Sequence, residues 1–158
     1  MKKIPLTQGK FALVDDEDYE RVINIKWHYN HGYAMRSVPG PRGYKKQGMH
    51  RLILNAPTDK LVDHINMDRL DNQKNNLRLC SYSQNRLNSK LNSNNSTGFK
   101  GVTYKKRRRK KPWEASAHSF MDGYLYLGSY KTREEAAKAY NTVVTQLDSE
   151  FYILNNLK

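Results

Sequence analysis

Two adjacent residues near the middle of the chain, Asp63 and His64, combine a carboxylate with an imidazole. An imidazole with an ordinary pKa of about 6.5 can accept a proton near neutral pH, and carboxylate oxygens are preferred ligands of hard divalent cations. Alone, the pair predicts no more than a polar turn. Two asparagines change that interpretation, because Asn76 follows His64 by 12 residues and Asn85 follows Asn76 by 9.

These residues lie in the motifs DHIN, DNQKNNLR and SYSQN, which resemble the HNH endonuclease family in its phage and homing type, where the last histidine is replaced by asparagine. The resemblance covers about residues 4–88. It implies a ββα-metal core in which Asp63 and Asn85 hold Mg²⁺, or another divalent cation such as Mn²⁺, together with phosphate oxygens and water. His64 would then be the general base that activates water for hydrolysis of a DNA phosphodiester.

The resemblance implies that the middle asparagine of this motif positions the histidine through hydrogen bonds to the backbone and takes no part in the chemistry. Spacing favours Asn76 for that role over its neighbours Asn72 and Asn75.

Three further residues lie within or close to these segments. His50, on a predicted strand Met49–Leu54, would either contact the scissile phosphate or be a structural strand histidine. Arg51 and Arg78 are candidate DNA contacts that clamp phosphate, with an exposed, solvated arginine as the alternative.

The elements that must position these residues follow from the hydrophobic pattern. Residues 1 to about 60 alternate between apolar and polar types, which predicts a β-rich lead-in with strands at Phe11–Val14, Tyr33–Val38 and Met49–Leu54. An acidic start at Asp16 predicts a short helix between the first two. Residues 63–66 are predicted as a loop, and Ser81 as the N-cap of a helix that runs to Leu87.

Residues 89–97, rich in Asn and Ser, predict a linker between a nuclease domain at 1–92 and a second domain at 98–158. The second domain is predicted to hold three strands and one helix. The strands are Gly98–Tyr104, Trp113–Ser119 and Tyr124–Tyr130, with a turn at Met121-Asp122-Gly123, and the helix is capped by Thr132 and Glu135.

The second domain resembles the Apetala and ethylene-response-factor DNA-binding domain, through Gly101-Val102, Trp113, the YLGSY segment at 126–130 and the EAAKAY helix at 135–140. The resemblance implies a sheet that docks in the major groove. The residues expected to contact DNA from one face of the sheet are Lys100, Tyr104, Lys106 and Trp113. Arg107, Arg108 and Arg109, in the basic run 105–111, are expected to contact phosphates. A solvated charged loop is the alternative for that run.

The overall charge supports a polyanionic partner. The 158 residues carry 28 Lys+Arg against 15 Asp+Glu, for a net charge of +13, while the mean hydropathy is -0.91. No apolar run long enough for a membrane span and no secretory signal are found, which predicts a protein of the cytoplasm, that of the bacterial host if phage-encoded. The single cysteine, Cys80, excludes an internal disulfide.

Together these features predict an α+β fold with a ββα-metal nuclease core followed by a small three-stranded antiparallel sheet packed on one helix. The predicted function is a metal-dependent, site-specific endonuclease of double-stranded DNA, monomeric and without an obligate protein partner. A non-catalytic DNA-binding protein is the main alternative, and RNA binding or cleavage has the same support from charge. Nicking and double-strand cutting both stay open.

Overall fold

The computed structural model describes residues 1–119, 123–147 and 150–157. Contacts divide the chain into two compact units, Met1–Asn85 and Arg86–Lys158. The first unit contains β1 (Lys2–Pro5), β2 (Phe11–Val14), α1 (Asp16–Val22), β3 (His28–Asn30), β4 (Tyr33–Gly40), β5 (Gly43–Gly48), α2 (Met49–Ile53), β6 (Leu61–His64) and β7 (Leu77–Cys80). Helix α3 (Tyr82–Leu87) follows, and the second unit contains β8 (Val102–Tyr104), β9 (Trp113–Ser119), β10 (Gly123–Tyr130) and α4 (Arg133–Gln146). Within the described ranges, every helix is too short or too polar to cross a lipid bilayer.

Strands β1 and β2 form an antiparallel hairpin whose inner face enters the core of the first unit. Ile4, Ala12 and Val14 are buried there, as the period of two along a strand requires. Helix α1 follows with three acidic residues in its first turn, where negative charge is favourable. The predicted strand Phe11–Val14 and the predicted short helix are both confirmed.

Strands β3, β4 and β5 form an antiparallel sheet in that order. The β4–β5 hairpin runs from Met35 opposite Gly48 to Gly40 opposite Gly43, and Pro41-Arg42 make the turn between its strands. The predicted strand Tyr33–Val38 is confirmed and continues to Gly40. Strand β5 was not predicted, since its sequence GYKKQG lacks alternating apolar residues.

The prediction of a strand at Met49–Leu54 is wrong, because this segment forms helix α2. The buried residues Met49 and Ile53, with the partly buried Leu52, recur at the spacing of a helix face rather than at alternate positions. His50 therefore projects from a helix turn and not from a strand.

Strands β6 and β7 pair antiparallel, with Asp63 opposite Arg78 and His64 opposite Leu77. The predicted loop at 63–66 therefore starts two residues later, since Asp63 and His64 end strand β6. The predicted cap of the next helix is confirmed: Ser81 Oγ accepts from Gln84 N at 3.2 Å, and Ser81 N donates to Gln84 Oε1 at 2.8 Å.

The second unit is a three-stranded antiparallel sheet in the order β10-β9-β8, packed on helix α4. The strand Trp113–Ser119 and the Thr132–Glu135 capping box are confirmed. The predicted strand Gly98–Tyr104 shortens to begin at Val102, because Gly101 has φ 68° and packs tightly against the Tyr140 ring. Met121 and Asp122 of the predicted turn lie outside the described residues. The architecture is α+β.

Candidate active site

The end of strand β6 forms the centre of the candidate site. Asp63 and His64 are each only 5% exposed. On the neighbouring strand, Arg78 donates to Asp63 Oδ2 from Nε at 2.9 Å and from Nη2 at 2.8 Å. Arg78, which was expected to contact a DNA phosphate, thus binds the carboxylate of Asp63, the candidate metal ligand. A buried carboxylate needs such a counter-charge in the absence of a cation.

His64 is a buried imidazole with a lowered pKa. Burial is the main cause, since it disfavours the charged ring. The Asn72 side chain and the carboxylates of Asp63, Asp68 and Asp71 act in the opposite direction. The neutral ring, which is the form able to accept a proton, therefore predominates at neutral pH.

Asn72 is fixed beside this imidazole by the first hairpin. Its backbone N donates to Leu13 O at 2.8 Å, and Leu13 N donates to Leu70 O at 2.8 Å. The Asn72 side chain also donates to Leu70 O at 3.0 Å. Strand β2 thus holds in place the segment that contacts His64, which gives the N-terminal hairpin a part in building the site.

Asn76 ties the loop after β6 to the turn that precedes β7. Its Oδ1 accepts from Asn66 N at 2.9 Å, and its Nδ2 donates to Asp71 O at 2.8 Å. Its backbone O accepts from Ile65 N at 2.9 Å. The side chain is buried, whereas Asn75 is exposed. The three asparagines left open by the sequence therefore differ: Asn72 contacts the histidine, Asn76 braces its loop and Asn75 faces solvent.

His50 and Tyr33 complete a cluster of rings around His64. The ring centroids of His50 and His64 are 5.2 Å apart, and Tyr33 lies 5.4 Å from His50 and 6.1 Å from His64. Burial lowers the pKa of His50 to about 3, with smaller contributions from His64 and Arg51. Gly48 packs against the His50 ring so closely that a Cβ there would overlap it. The sequence carried no signal for Tyr33, which strand pairing alone brings to the site.

Arg51, the other expected phosphate clamp, is engaged with its own chain. Its guanidinium donates to the carbonyls of Lys60 at 2.8 Å, Ala56 at 3.2 Å and Pro57 at 2.6 Å. These bonds hold the loop that leads into β6, so Arg51 supports the strand that carries Asp63.

Asn85 lies on helix α3, which starts directly after β7 and is half-buried at this position. Its backbone N donates to Ser81 O at 3.0 Å within the first turn. Strand β6 and helix α3, which belong to a strand–strand–helix sequence of elements with β7 between them, thus carry the expected ligands Asp63 and Asn85. No three His, Cys, Asp or Glu side chains converge among the described residues. A carboxylate and an amide oxygen are nevertheless of the ligand types that Mg²⁺ takes together with waters and phosphate oxygens.

In the second unit, Tyr104 and Trp113 pair on the face of the sheet that packs on α4. Their rings are 4.9 Å apart, and Trp113 packs against the apolar cluster of Val102 and Ala115. Trp113 thus lies against the core of the unit, whereas Tyr104 is 51% exposed. That these two residues and Lys100 contact DNA stays a prediction. Lys100 is half-buried, with Nζ donating to Leu87 O at 2.6 Å, and burial lowers its pKa to about 8.

The opposite face of this sheet carries Arg108 in a polar network. Arg108 Nη1 donates to Tyr126 OH at 3.0 Å and contacts Ser129 Oγ, and its Nη2 lies 3.5 Å from the buried carboxylate of Glu114. Lys105 lies 4.0 Å from the same carboxylate. The rest of the basic run is exposed, including the expected contacts Lys106, Arg107 and Arg109.

The chain is 30% identical over 158 residues to an uncharacterized HNH endonuclease of Acanthamoeba polyphaga mimivirus, an alignment that covers 95% of this chain and 77% of that protein. No family model matches the chain. No solved structure matches it either. The similarity extends over nearly the whole sequence and includes the segment that forms the candidate site. The chain therefore belongs to the HNH endonucleases.

Proposed function

We propose that this nuclease is a metal-dependent endonuclease of double-stranded DNA, with Asp63 and Asn85 as ligands of one Mg²⁺ or Mn²⁺ ion and His64 as the general base. The observation that carries the proposal is the environment of His64. A neutral, buried imidazole lies next to a buried carboxylate, and two asparagines hold the ring and its loop.

His64 takes a proton from the attacking water while the oxygen of that water forms a bond to phosphorus. The P–O bond to the leaving sugar oxygen breaks, and that oxygen is protonated from solvent. When bound, the metal ion supplies a Lewis acid for the phosphate and the leaving oxygen. A base must be unprotonated at the working pH, so the lowered pKa of His64 favours this role.

The neighbours of His64 position it. Asn76 fixes the loop that follows the histidine, and Asn72 orients the ring. His50 is assigned to the same support, because a ring with a pKa of about 3 stays neutral and offers phosphate no positive charge. Arg78 holds Asp63 in place from the next strand.

The second unit is proposed as an Apetala-type DNA-binding module. Its exposed basic residues, Lys106, Arg107 and Arg109, suit contacts to phosphates, which fix position and orientation without specifying sequence. Arg108 and Tyr126 on the open face of the sheet would meet the groove. We expect the triple substitution Lys106→Gln, Arg107→Gln and Arg109→Gln to weaken binding to all duplexes alike. A loss confined to one target sequence would contradict phosphate contact.

The test of the nuclease proposal is the nicking of supercoiled plasmid DNA with Mg²⁺, Mn²⁺ or EDTA. His64→Ala should abolish metal-dependent nicking and leave the affinity for duplex DNA nearly unchanged. His31→Asn is the matched control, because His31 is exposed and its φ of 48° suits asparagine. Full activity of His64→Ala, or undiminished activity in EDTA, would refute the assignment.

The biological role is proposed as that of a homing-type nuclease acting as a monomer on a specific site. DNA flanking the gene of this protein is the substrate to test, with strand breaks mapped on both strands. Breaks at one position in the flanking sequence would support homing. Breaks spread evenly over flanking and unrelated DNA would count against site specificity.

A further inference from the structure

The β4–β5 hairpin is strongly basic and carries no acidic residue. No Asp or Glu occurs between Glu20 and Asp59. The hairpin contributes Arg36, Arg42, Lys45 and Lys46 to this stretch. Within the described part of the chain, none of these four lies within ion-pair distance of a carboxylate. In the second unit, by contrast, Lys105 and Arg108 both approach Glu114.

This charge is presented to solvent. All six residues from 41 to 46, which form the turn and most of β5, are exposed. Tyr44 near the tip is 82% exposed, far more than an aromatic ring buried in a core. Cations without a neighbouring carboxylate can bind the phosphates of a polyanion, and the exposed tyrosine ring between them can pack on its sugars.

The hairpin starts at the candidate active site. Tyr33, at the base of β4, contacts the rings of His50 and His64, and Gly48, at the end of β5, packs on His50. Because side chains alternate along a strand, the face that carries Tyr33 continues outward through Ser37, with Lys46 opposite it. Lys46 Nζ donates to Ser37 Oγ at 3.1 Å on this face.

The same face ends at Pro39 and Tyr44, which are paired near the turn. At about 3.3 Å per residue, the distance from Tyr33 to Pro39 is about 20 Å. Duplex DNA presents one phosphate per about 1.7 Å of its axis, so about twelve phosphates occur over this length. Lys46 lies on this face, Arg42 in the turn and Lys45 on the opposite face, so the outer end of the hairpin carries cations on both sides. A duplex lying along the face would therefore place some phosphates at the histidines and others at this outer end.

From this placement we propose that the β4–β5 hairpin is a binding arm for the sugar–phosphate backbone of duplex DNA, by which the nuclease unit engages its substrate with Arg42, Lys45 and Lys46. The inference rests on the proposed function, in that the substrate is duplex DNA. It adds a binding surface on the nuclease unit itself.

The first test measures the affinity of the full chain for a fluorescent duplex at several salt concentrations. Each phosphate contact contributes about 0.9 to the slope of log affinity against log salt. Arg42→Gln, Lys45→Gln and Lys46→Gln together should lower that slope by 2 to 3 (about 0.9 for each contact) and weaken binding at least about tenfold at 0.1 M salt.

The control removes the same charge from the same unit away from the hairpin, by Lys3→Gln, Lys10→Gln and Lys26→Gln. These lysines are also exposed. We expect the control to lower the slope by less than about 1. Equal effects of the two triple variants would overturn the proposal in favour of diffuse attraction, and an unchanged slope in the hairpin variant would overturn it outright.

A second test does not depend on the triple variant. Cys80 is buried, and burial raises its pKa, so a cysteine placed on the surface can be labelled selectively. Tyr44→Cys carrying a thiol-linked aryl azide should photo-crosslink to duplex DNA several-fold more than Phe11→Cys, an exposed position on β2. Equal crosslinking from the two positions would overturn the proposal.

Both readouts are of binding, which separates this inference from the proposed function. If the hairpin variant loses affinity but the wild-type chain never nicks DNA, the arm stands and the catalytic proposal fails. If the wild-type chain nicks DNA and the hairpin variant binds as the control does, the catalytic proposal stands and the arm fails.

Discussion

Replacement of His50 by glutamine should make the stability of the first unit less dependent on pH. Burial holds the pKa of His50 at about 3 in the folded unit, against an ordinary value of 6.5. Between these two values the unfolded chain binds a proton that the folded unit does not. The free energy of unfolding therefore rises with pH through this window, and the contribution of His50 is lost as the pH falls.

The expected magnitude follows from the width of that window. Each pH unit below the unfolded pKa costs about 1.4 kcal/mol while the folded ring stays neutral. At pH 5 the unfolded imidazole is mostly protonated and the folded one is not. His50 alone should thus lower the free energy of unfolding by about 2 kcal/mol between pH 7.5 and pH 5. Glutamine at this position cannot ionise and removes that difference.

Urea denaturation at the two pH values provides the measurement. Trp27 is buried in the first unit, and in a Trp113→Phe background its fluorescence reports that unit alone. The decrease from pH 7.5 to pH 5 should be about 2 kcal/mol smaller in His50→Gln than in the background protein. His31→Asn should behave like the background. His64 is present in every protein compared, so its own titration is common to all. An equal decrease in His50→Gln and the background protein would refute the reasoning.

Three further results are expected. Asn76→Ala removes two hydrogen bonds from the loop after β6. It should lower the free energy of unfolding by about 1–3 kcal/mol in urea titrations and slow nicking, and unchanged nicking would contradict its bracing role. Arg78→Met should destabilise the metal-free protein by about 3–5 kcal/mol, because the buried carboxylate of Asp63 loses the charge of the Arg78 guanidinium. Mg²⁺ should then raise the stability of this variant in thermal melts more than that of the wild type, and an equal Mg²⁺ effect in both would argue against Asp63 as a ligand. Thr132→Ala should lower the free energy of unfolding of the second unit by about 1 kcal/mol. Trp113 fluorescence measures this unfolding, and no change would mean that the capping box does not stabilise the unit.

The sequence predicted best where local chemistry decides the structure. The caps at Ser81 and Thr132 were visible because a capping residue and its partner lie three positions apart. Strand Trp113–Ser119 was predicted because residues of the two strand faces alternate along its sequence. The α2 helix was mistaken for a strand because a run of six largely apolar residues fits either period, and only burial of Met49 and Ile53 distinguishes them.

The motif at Asp63 and His64 predicted where the candidate site lies, whereas the residues around it depend on pairings between segments far apart in sequence. Arg78 meets Asp63 through the register of two strands. The β3–β4–β5 sheet brings Tyr33 into contact with His64. The sequence around Tyr33 contains no motif that indicates a functional site. Likewise, the side of the sheet taken by Trp113 depends on how β8, β9 and α4 pack. A sequence pattern specifies residue types and spacing, whereas such contacts depend on tertiary packing.

The bonds of Asn76 have a consequence for motion at the site. Amide protons in surface loops usually exchange with solvent quickly, but the amides of Ile65 and Asn66 both donate to Asn76. Their exchange then requires the β6–β7 hairpin to open. The segment after His64 should accordingly exchange as slowly as the strands beside it, because one residue of the following turn, Asn76, accepts from both amides through its backbone and side-chain oxygens.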